Sequence, residues 1–565
     1  MEYPNNLSTF PTVSMKGSLM IDETQLNQIQ DPVAKEFIKR LANLHEKTLK
    51  ELDDLRLENQ RLKDENQRLK GEQAKPEVKP SKKTLPQNHS SEEARKKPKA
   101  WSKKSRNDKL TITRTEPPLK METPLPGDAL FKGVVPVFVQ NIKLVTETIR
   151  FLRNKFYSPS TGKTYLTPLP KGYDGQFGSD LKALALGLHH LCNVGQKNIH
   201  ALLTHAGVSI SMGQISNLLI KGQDAFHREK SAIGLAGLKS APWQQTDDTL
   251  TRVNGVNQSC HILGNPFYTS YTTLPHKDRL SLLKVFMNGD DPDFLLNQEV
   301  LDSDFVKKLP LKWRKSLESL PLETRWDAAS VGEMANRNFP TLGAQSRKRL
   351  IEELAFASYR SQRDIPVISL LVSDDAPQFR GLTEHLSLCW VHAGRHFNKL
   401  SPHIPYFQER LAKFKKKFWK FYDELLEFKS KPSSRKAASL SKKFDLLFVG
   451  DTGYDALDAR IAKTACNKAE LLQVLRHPEI PLHNNASELA VRSRVRKRDV
   501  SFGPRTQEGV KAWDTFQTIA GTALKLGVNI LDYLSDRVSG ENKMPSLASL
   551  IAEKSKSGRL SGSWA

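Results

Sequence analysis

Two pairs of neighbouring aspartates and one glutamate are the residues in this sequence whose chemistry asks for an explanation. Asp247 and Asp248 lie in WQQTDDTLTRVNG, Asp374 and Asp375 end the apolar run VISLLVSDD, and Glu488 lies in PLHNNASELAVR. Carboxylates drawn from separate elements suit a hard divalent cation such as Mg2+, which takes oxygen ligands and keeps several waters. Two such ions can activate an attacking water or hydroxyl at a phosphodiester and stabilise its leaving oxygen. Side chains alternate across a strand, so at most one acid of each pair faces a given site and the other is a bystander. Each group also has an ordinary explanation. An Asp-Asp dipeptide commonly makes a turn or cap. Glu488 follows Asn485 at the spacing of an N-terminal capping interaction, with Arg492 at i+4 as an ion-pair partner. Cys389 and His392 offer half of a zinc site, but no second Cys or His pair stands at ligand spacing. It is the order of the acids along one sheet-like region that joins them.

The elements that must position these acids are legible from the hydrophobic pattern. Val367 to Val372 reads as a buried strand with Asp374 and Asp375 at its carboxyl end, where open α/β sheets bind ligands. A second run, Leu386 to Val391, leads into Cys389, Trp390 and His392, then Arg395 and His396. From Trp243 three strand patterns, WQQTDDTLTRVNG, SCHILGN and FYTSYTTLP, follow one another across short turns and precede a helix at Lys277 to Met287. An antiparallel meander, a helix and a parallel addition describe an α/β fold with a mixed sheet of the ribonuclease-H type. This core spans 241–540, with helical insertions at about 290–363 and 398–478. The second insertion opens on QERLAKFKKKFWKFYDELLEFKSK, a long helix with aromatics on one face and lysines on the other.

Ahead of the core the chain changes character repeatedly. Beyond an N-terminal segment, 1–30, a heptad pattern runs through 31–70, with Ile38, His45, Leu52, Asn59 and Asn66 on one seam and Leu41, Thr48, Leu55, Leu62 and Leu69 on the other. That pattern predicts a coiled coil and, from the asparagines, a parallel homodimer or a larger assembly built on one. A Lys-, Pro- and Ser-rich stretch, 71–128, has too little apolar surface to offset its ordering entropy and reads as a basic flexible linker. A small β-rich segment, 129–178, contains a hairpin around Ser160 to Lys163, and a helical region, 179–240, follows. There QKNIHALLTHAG and SMGQISNLLIKG have helix-turn-helix spacing, with Ser211 as N-cap and Met212 to Leu219 as the recognition-helix candidate. A plain pair of packed helices gives the same pattern. A tail, 541–565, closes the chain.

The formal net charge of +24 favours a polyanion such as nucleic acid over an acidic small substrate. The four cysteines, Cys192, Cys260, Cys389 and Cys466, are widely spaced and give no disulfide framework. No apolar run reaches the length of a membrane span, and the expected location is cytoplasmic.

QTDDT, LLVSDDAPQF with LCWVHAGRHF behind it, LHNNASELAVRSRVRKRD and the closing GTALKLGVNILDYLSDR resemble DDE transposases of bacterial insertion sequences, in particular the insertion-sequence-sixty-six-like family. The likeness runs from about Val134 to Val538. It implies a core that binds DNA, both the element's terminal repeats and target DNA, and cuts and joins it with Mg2+ or, in its place, Mn2+. It maps the three catalytic, metal-binding acids onto Asp247, Asp374 and Glu488, and Cys389, Trp390, His392 and Arg395 match its Cys-Trp-x-His segment; His392 and Arg395 would serve the scissile phosphate or orient Asp374. Strand parity agrees at one position, since Leu370, Val372 and Asp374 share a face that Asp375 does not. The sequence departs from the family in three places. The cysteines of a zinc knuckle are absent near YSPSTGKTY, so no zinc is expected there. Asp248 stands where Glu is usual, and Leu489 stands where Arg is usual, leaving Arg492 or Arg494 as the nearest substitute cation. Two other functions fit the same features: a DNA-binding protein that no longer cuts, and a ribonuclease-H-like nuclease that cleaves without joining.

Overall fold

A computed structural model describes residues 23–69, 110–117, 125–142, 144–173 and 175–557. The N-terminal segment before Glu23, most of the basic linker with its KKPKAWSKK portion, and the end of the tail lie outside the described residues.

The heptad region is one helix, α1 (Pro32–Leu69). Its first half docks on the chain's own second insertion. Ala42 and Glu46 are buried. The Glu46 carboxylate accepts the backbone N–H groups of His403 at 2.8 Å and Ile404 at 3.1 Å, and the His403 ring reaches Asp53 at 2.9 Å. The seam of Ile38, His45 and Leu52 is thus turned toward this contact, while Leu41, Leu55, Leu62 and Leu69 stay exposed.

Residues 129–154 differ from expectation. The run VVPVFVQNIKLV forms no regular element, and Phe131, Val135, Val139 and Leu152 are all more than four-fifths exposed. An apolar run reads as core only where a surface exists to receive it, and none does here among the described residues. The hairpin Lys155–Ser158 with Lys163–Leu166 forms as expected, its turn closed by Gly162 at φ +63°. The compact body begins at Ser179. Two of its helices, α2 (Gln196–His205) and α3 (Met212–Ile220), have the predicted spacing, and Ser211 caps α3 through a capping box with Gln214.

The sheet has five strands: β1 (Trp243–Val253), β2 (Val256–Asn265), β3 (Tyr268–Leu274), β4 (Leu370–Ser373) and β5 (His385–Leu388). Their spatial order is β3-β2-β1-β4-β5. The first three form the antiparallel meander, joined by a tight turn in which Asn254 and Gly255 both take positive φ. β4 adds parallel to β1, and β5 parallel to β4. The fold is a mixed α/β arrangement with many helices. β4 starts at Leu370, later than the apolar run suggests, and Trp390 already opens a helix, α4 (Trp390–Asn398). The long helix α5 (Pro405–Ser430) packs its aromatic face on Trp390, with Phe418 and Phe421 at 5.4 Å and 5.5 Å between ring centroids. α6 (Asn485–Ser501) and α7 (Gln507–Leu526) complete the body. Among the described residues no helix is long and apolar enough to cross a membrane.

The outer edge of β3 is closed by side chains. The N–H groups of Thr269, Tyr271 and Thr273 donate to Thr522 Oγ1 at 3.3 Å, Thr518 Oγ1 at 3.0 Å and Asp514 Oδ2 at 2.6 Å on α7. Four residues of helix rise about 6 Å and two residues of strand about 6.8 Å, so the two repeats stay in step over three contacts. An edge that would otherwise be free to pair with another strand is thereby capped. Thr518→Val keeps the shape and removes the acceptor. We expect a loss of about 1–3 kcal/mol, read from urea unfolding, because the Tyr271 N–H is left buried without a partner; an unchanged midpoint would contradict this account of the edge.

Candidate functional site

Asp247 lies on β1 opposite Ile262, Asp374 directly follows β4, and Glu488 lies in the first turn of α6. Two tethers bring α6 to the sheet. β1 is paired with β4 only as far as Gln245, opposite Val372. Beyond that point the loop before α6 takes over. Asn484 Nδ2 donates to the Thr246 carbonyl at 2.8 Å, and Gln245 Nε2 donates to the His483 carbonyl at 3.0 Å. The same loop is fixed from the other side, where the Trp390 N–H donates to the Leu482 carbonyl at 2.9 Å and the Asn484 N–H to Cys389 Sγ at 3.3 Å. Burial pushes the Cys389 thiol up to about 11, so it stays protonated and acts as a packing and accepting group.

Within each aspartate pair the two acids have different surroundings. Asp248 is ion-paired with Lys277 at 2.6 Å and accepts from Gln378 at 3.2 Å. Asp375 is held by Arg380, which also reaches Glu470 and Asn467. Asp247 and Asp374 are held differently, by backbone N–H groups. Asp247 Oδ1 accepts the Asp248 N–H at 2.8 Å, and Asp374 Oδ1 accepts the Ala376 N–H at 3.1 Å. Burial pushes the Asp247 carboxyl up to about 7 against that hydrogen bond, and the charges of Asp374, Asp248 and Glu488 push the same way. Asp247 therefore feels the charges of Asp374 and Glu488 from a largely buried position.

Glu488 does not cap its helix and does not pair with Arg492. The N-cap, Asn484, makes no side-chain cap bond, and Arg395 donates to Glu488 Oε2 at 2.9 Å. Arg395 also contacts the His392 ring at 2.9 Å, and His392 Nε2 stands 3.6 Å from Glu488 Oε1. His392 and Arg395 thus both engage Glu488, and His392 also lies within electrostatic reach of Asp374. Burial, then the Arg395 charge, lowers the His392 pKa, which keeps the ring neutral. Arg494, one of the two cations considered for the Leu489 departure, is fully buried against Asp514 at 3.1 Å and serves the α6–α7 packing instead. Among the described residues no group of three or more His, Cys, Asp or Glu side chains is drawn together closely enough to enclose a metal ion.

Sequence reasoning passed over Gln245, Lys277 and Arg380, because a glutamine in a strand or a cation beyond a turn carries no periodic signal. Asn484 was visible only as part of a helix start. Asn484→Ala should speed amide hydrogen exchange over residues 484–489 at least about 10-fold while leaving the β1–β2 ladder protected, since it removes one buried hydrogen bond worth about 1–3 kcal/mol. Unchanged exchange in that segment would mean that the tether does not hold Glu488 in place.

Comparison with known proteins adds a second line of evidence. Residues 370–512 match the family described as Transposase IS66 family. That stretch contains Asp374, His392, Arg395 and Glu488 but not Asp247. An uncharacterized protein, y4jO, of Sinorhizobium fredii is 34% identical over 323 residues, which is 56% of this chain and 99% of the relative. No solved structure matches the chain. With the family's segment lying across β4, β5, α4 and α6, and with a relative matched over nearly its whole length, the chain belongs to the IS66 transposase family.

Proposed function

We propose that the protein is a DDE-type transposase that binds the DNA ends of its mobile element and catalyses metal-dependent strand cleavage and strand transfer. The observation that carries this reading is the division within each aspartate pair. Lys277 pairs with Asp248 and Arg380 with Asp375, while Asp247 and Asp374 accept backbone N–H groups and Asp247 lies within electrostatic reach of Asp374 and Glu488. The strand order β3-β2-β1-β4-β5, three antiparallel and two parallel, suits a ribonuclease-H-like core with one acid on the first strand, one after the fourth and one on a later helix.

The donor set suits magnesium. It consists of carboxylate oxygens, and Glu488 Oε1 is buried with no hydrogen-bond partner. Asp247, Asp374 and Glu488 would hold the metal, which when bound supplies activation of a water or a DNA hydroxyl and charge neutralisation at the phosphodiester. The remaining work belongs to the chain. Asn484 and Gln245 fix Glu488 against β1, Arg395 and the neutral His392 keep its carboxylate oriented, and burial behind Trp390 and α5 excludes bulk water from that side. The exposed residues of α3 would grip the terminal repeats, and the open apolar stripe of α1 would pair protomers. A cytoplasmic, nucleoid-associated location follows from the same reading.

A second reading, a DNA-binding protein that no longer cuts, is favoured by the Arg395–Glu488 ion pair, which occupies the third acid. Short inverted repeats bounding the gene supply the substrate that separates the two. On a plasmid carrying those repeats, the wild-type protein with Mg2+ should nick at the repeat ends, and Asp374→Asn should bind equally well while cleaving more than ~100-fold more slowly, a larger loss than removal of a residue that only supports a metal ligand. Undiminished cleavage by the variant would falsify the assignment; tight end binding without nicking by the wild type in Mg2+ or Mn2+ would establish the second reading.

A further inference from the structure

We infer that Phe502 and the cavity behind it form a base-stacking site that receives an unpaired nucleobase of the DNA substrate. The inference rests on the DNA-processing reading above and names a contact that reading does not include. Phe502 ends α6 in the left-handed conformation, φ 57° and ψ 6°, where a bulky side chain is rare, and its ring is 85% exposed. A strained, solvent-facing aromatic is unfavourable for stability alone, and such positions persist where the surrounding structure enforces them.

That enforcement is visible. Gly503 follows at φ +96°, and a Cβ there would sit 2.1 Å from the Arg252 carbonyl oxygen, so the backbone is pressed against β1. The Asn254 N–H donates to the Pro504 carbonyl at 3.0 Å, and Arg498 donates to the Leu250 carbonyl. The ring is therefore presented by the β1–β2 turn and by the end of α6. These are the far ends of the two elements that carry Asp247 and Glu488. Leu250, Val256 and Val500, at 62%, 63% and 51% exposure, add apolar surface on the same turn and helix end.

The chemistry around the ring fits a DNA strand. A cavity of about 620 Å³ is lined by Phe502, Trp513, His190, Ser216, Lys197 and Arg505. The Trp513 ring is already covered by Arg494 and Lys497, and His190 stacks on Phe516. The open face is therefore that of Phe502, set beside Lys197 and Arg505 as an aromatic with cations, as binding sites for unpaired bases are. Arg492 and Arg496 are exposed at i and i+4 on α6 between Glu488 and Phe502, and they have no ion-pair partner among the described residues. They form a basic path along the helix. From Glu488 to Phe502 is fourteen residues, about 21 Å of helix rise, which is roughly six nucleotide steps. A strand cut at the acids would follow the arginines and reach the ring with one base free to leave the stack.

The test uses the full-length protein and a duplex carrying the repeat that bounds the gene, with thymines placed singly at each position about three to nine nucleotides from the cleaved end. The wild type should render one thymine reactive to permanganate. Phe502→Ala should abolish that reactivity and weaken end binding roughly 5- to 100-fold, whereas Phe502→Trp should preserve both. Phe502→Leu, which keeps bulk without an aromatic face, should behave like the alanine variant. An unchanged unfolding midpoint in each variant shows that an exposed ring was removed without loss of the fold. Asp374→Asn should keep the reactive thymine while losing cleavage. If Phe502→Ala binds and exposes thymine as the wild type does, the stacking site is wrong and the transposase reading stands. If the wild type binds no DNA, both fail together. If Phe502→Ala changes only self-association, the ring meets a second copy of the chain and not a base.

Discussion

Strand β1 is hydrogen-bonded to neighbours on both sides up to Gln245, and past that residue β4 no longer accompanies it. A buried strand cannot leave its carbonyl groups without donors. The Thr246 carbonyl is satisfied by the side chain of Asn484, which brings the first turn of α6 to the place where β4 stops. Asp247 is the next residue along β1, Asp374 lies just beyond the end of β4, and Glu488 is four residues after Asn484. That the three acids lie in one region of the sheet is thus a consequence of how one strand's backbone is satisfied.

The rest of the body keeps that junction rigid. α7 closes the β3 edge through Asp514, Thr518 and Thr522, and Asp514 also pairs with Arg494 of α6. One carboxylate thereby joins the far edge of the sheet to the helix bearing Glu488. A buried ion pair gains little net stability over an apolar pair, but breaking it strands a charge, so it fixes the register of α6 more than it raises stability. On the opposite side, Trp390 is clamped among the aromatics of α5, which ties the Cys389–Arg395 segment to the second insertion.

The sequence carried the sheet because strands report themselves through alternation and turns. The Asn254-Gly255 turn and the apolar run into Asp374 each have a local cause, and the structure follows both. Helices α2 and α3 were equally plain from their period and the Ser211 cap. What stayed hidden depends on partners far away in the chain. Nothing near Glu488 announces Arg395, nothing near Thr518 announces the Tyr271 N–H, and local spacing pointed Glu488 toward a capping role that it does not take. The 129–154 run shows the reverse error, for its composition resembles a core segment while no surface among the described residues receives it. Which aspartate of each pair is tied up was likewise set by Lys277 and Arg380, whose identities are ordinary and whose positions are not.

The distance between Asp247 and Glu488 along the chain, 488 − 247 = 241 residues, has a consequence during synthesis. At about 5–20 residues per second a ribosome needs roughly 12–48 s to travel from one to the other. For that interval the meander exists with β1 lacking Asn484 and β3 lacking α7. Until α7 is made, the β3 edge is open to pairing with other strands, and β1 past Gln245 has no neighbour on its β4 side. A chain halted before Asn484 carries two of the three acids, the α2–α3 pair and an uncovered β3 edge, which marks it for aggregation or proteolysis. The late position of α6 and α7 thus acts as a completeness check, since only a chain translated past α7 gains both Glu488 and the cover for its β3 edge.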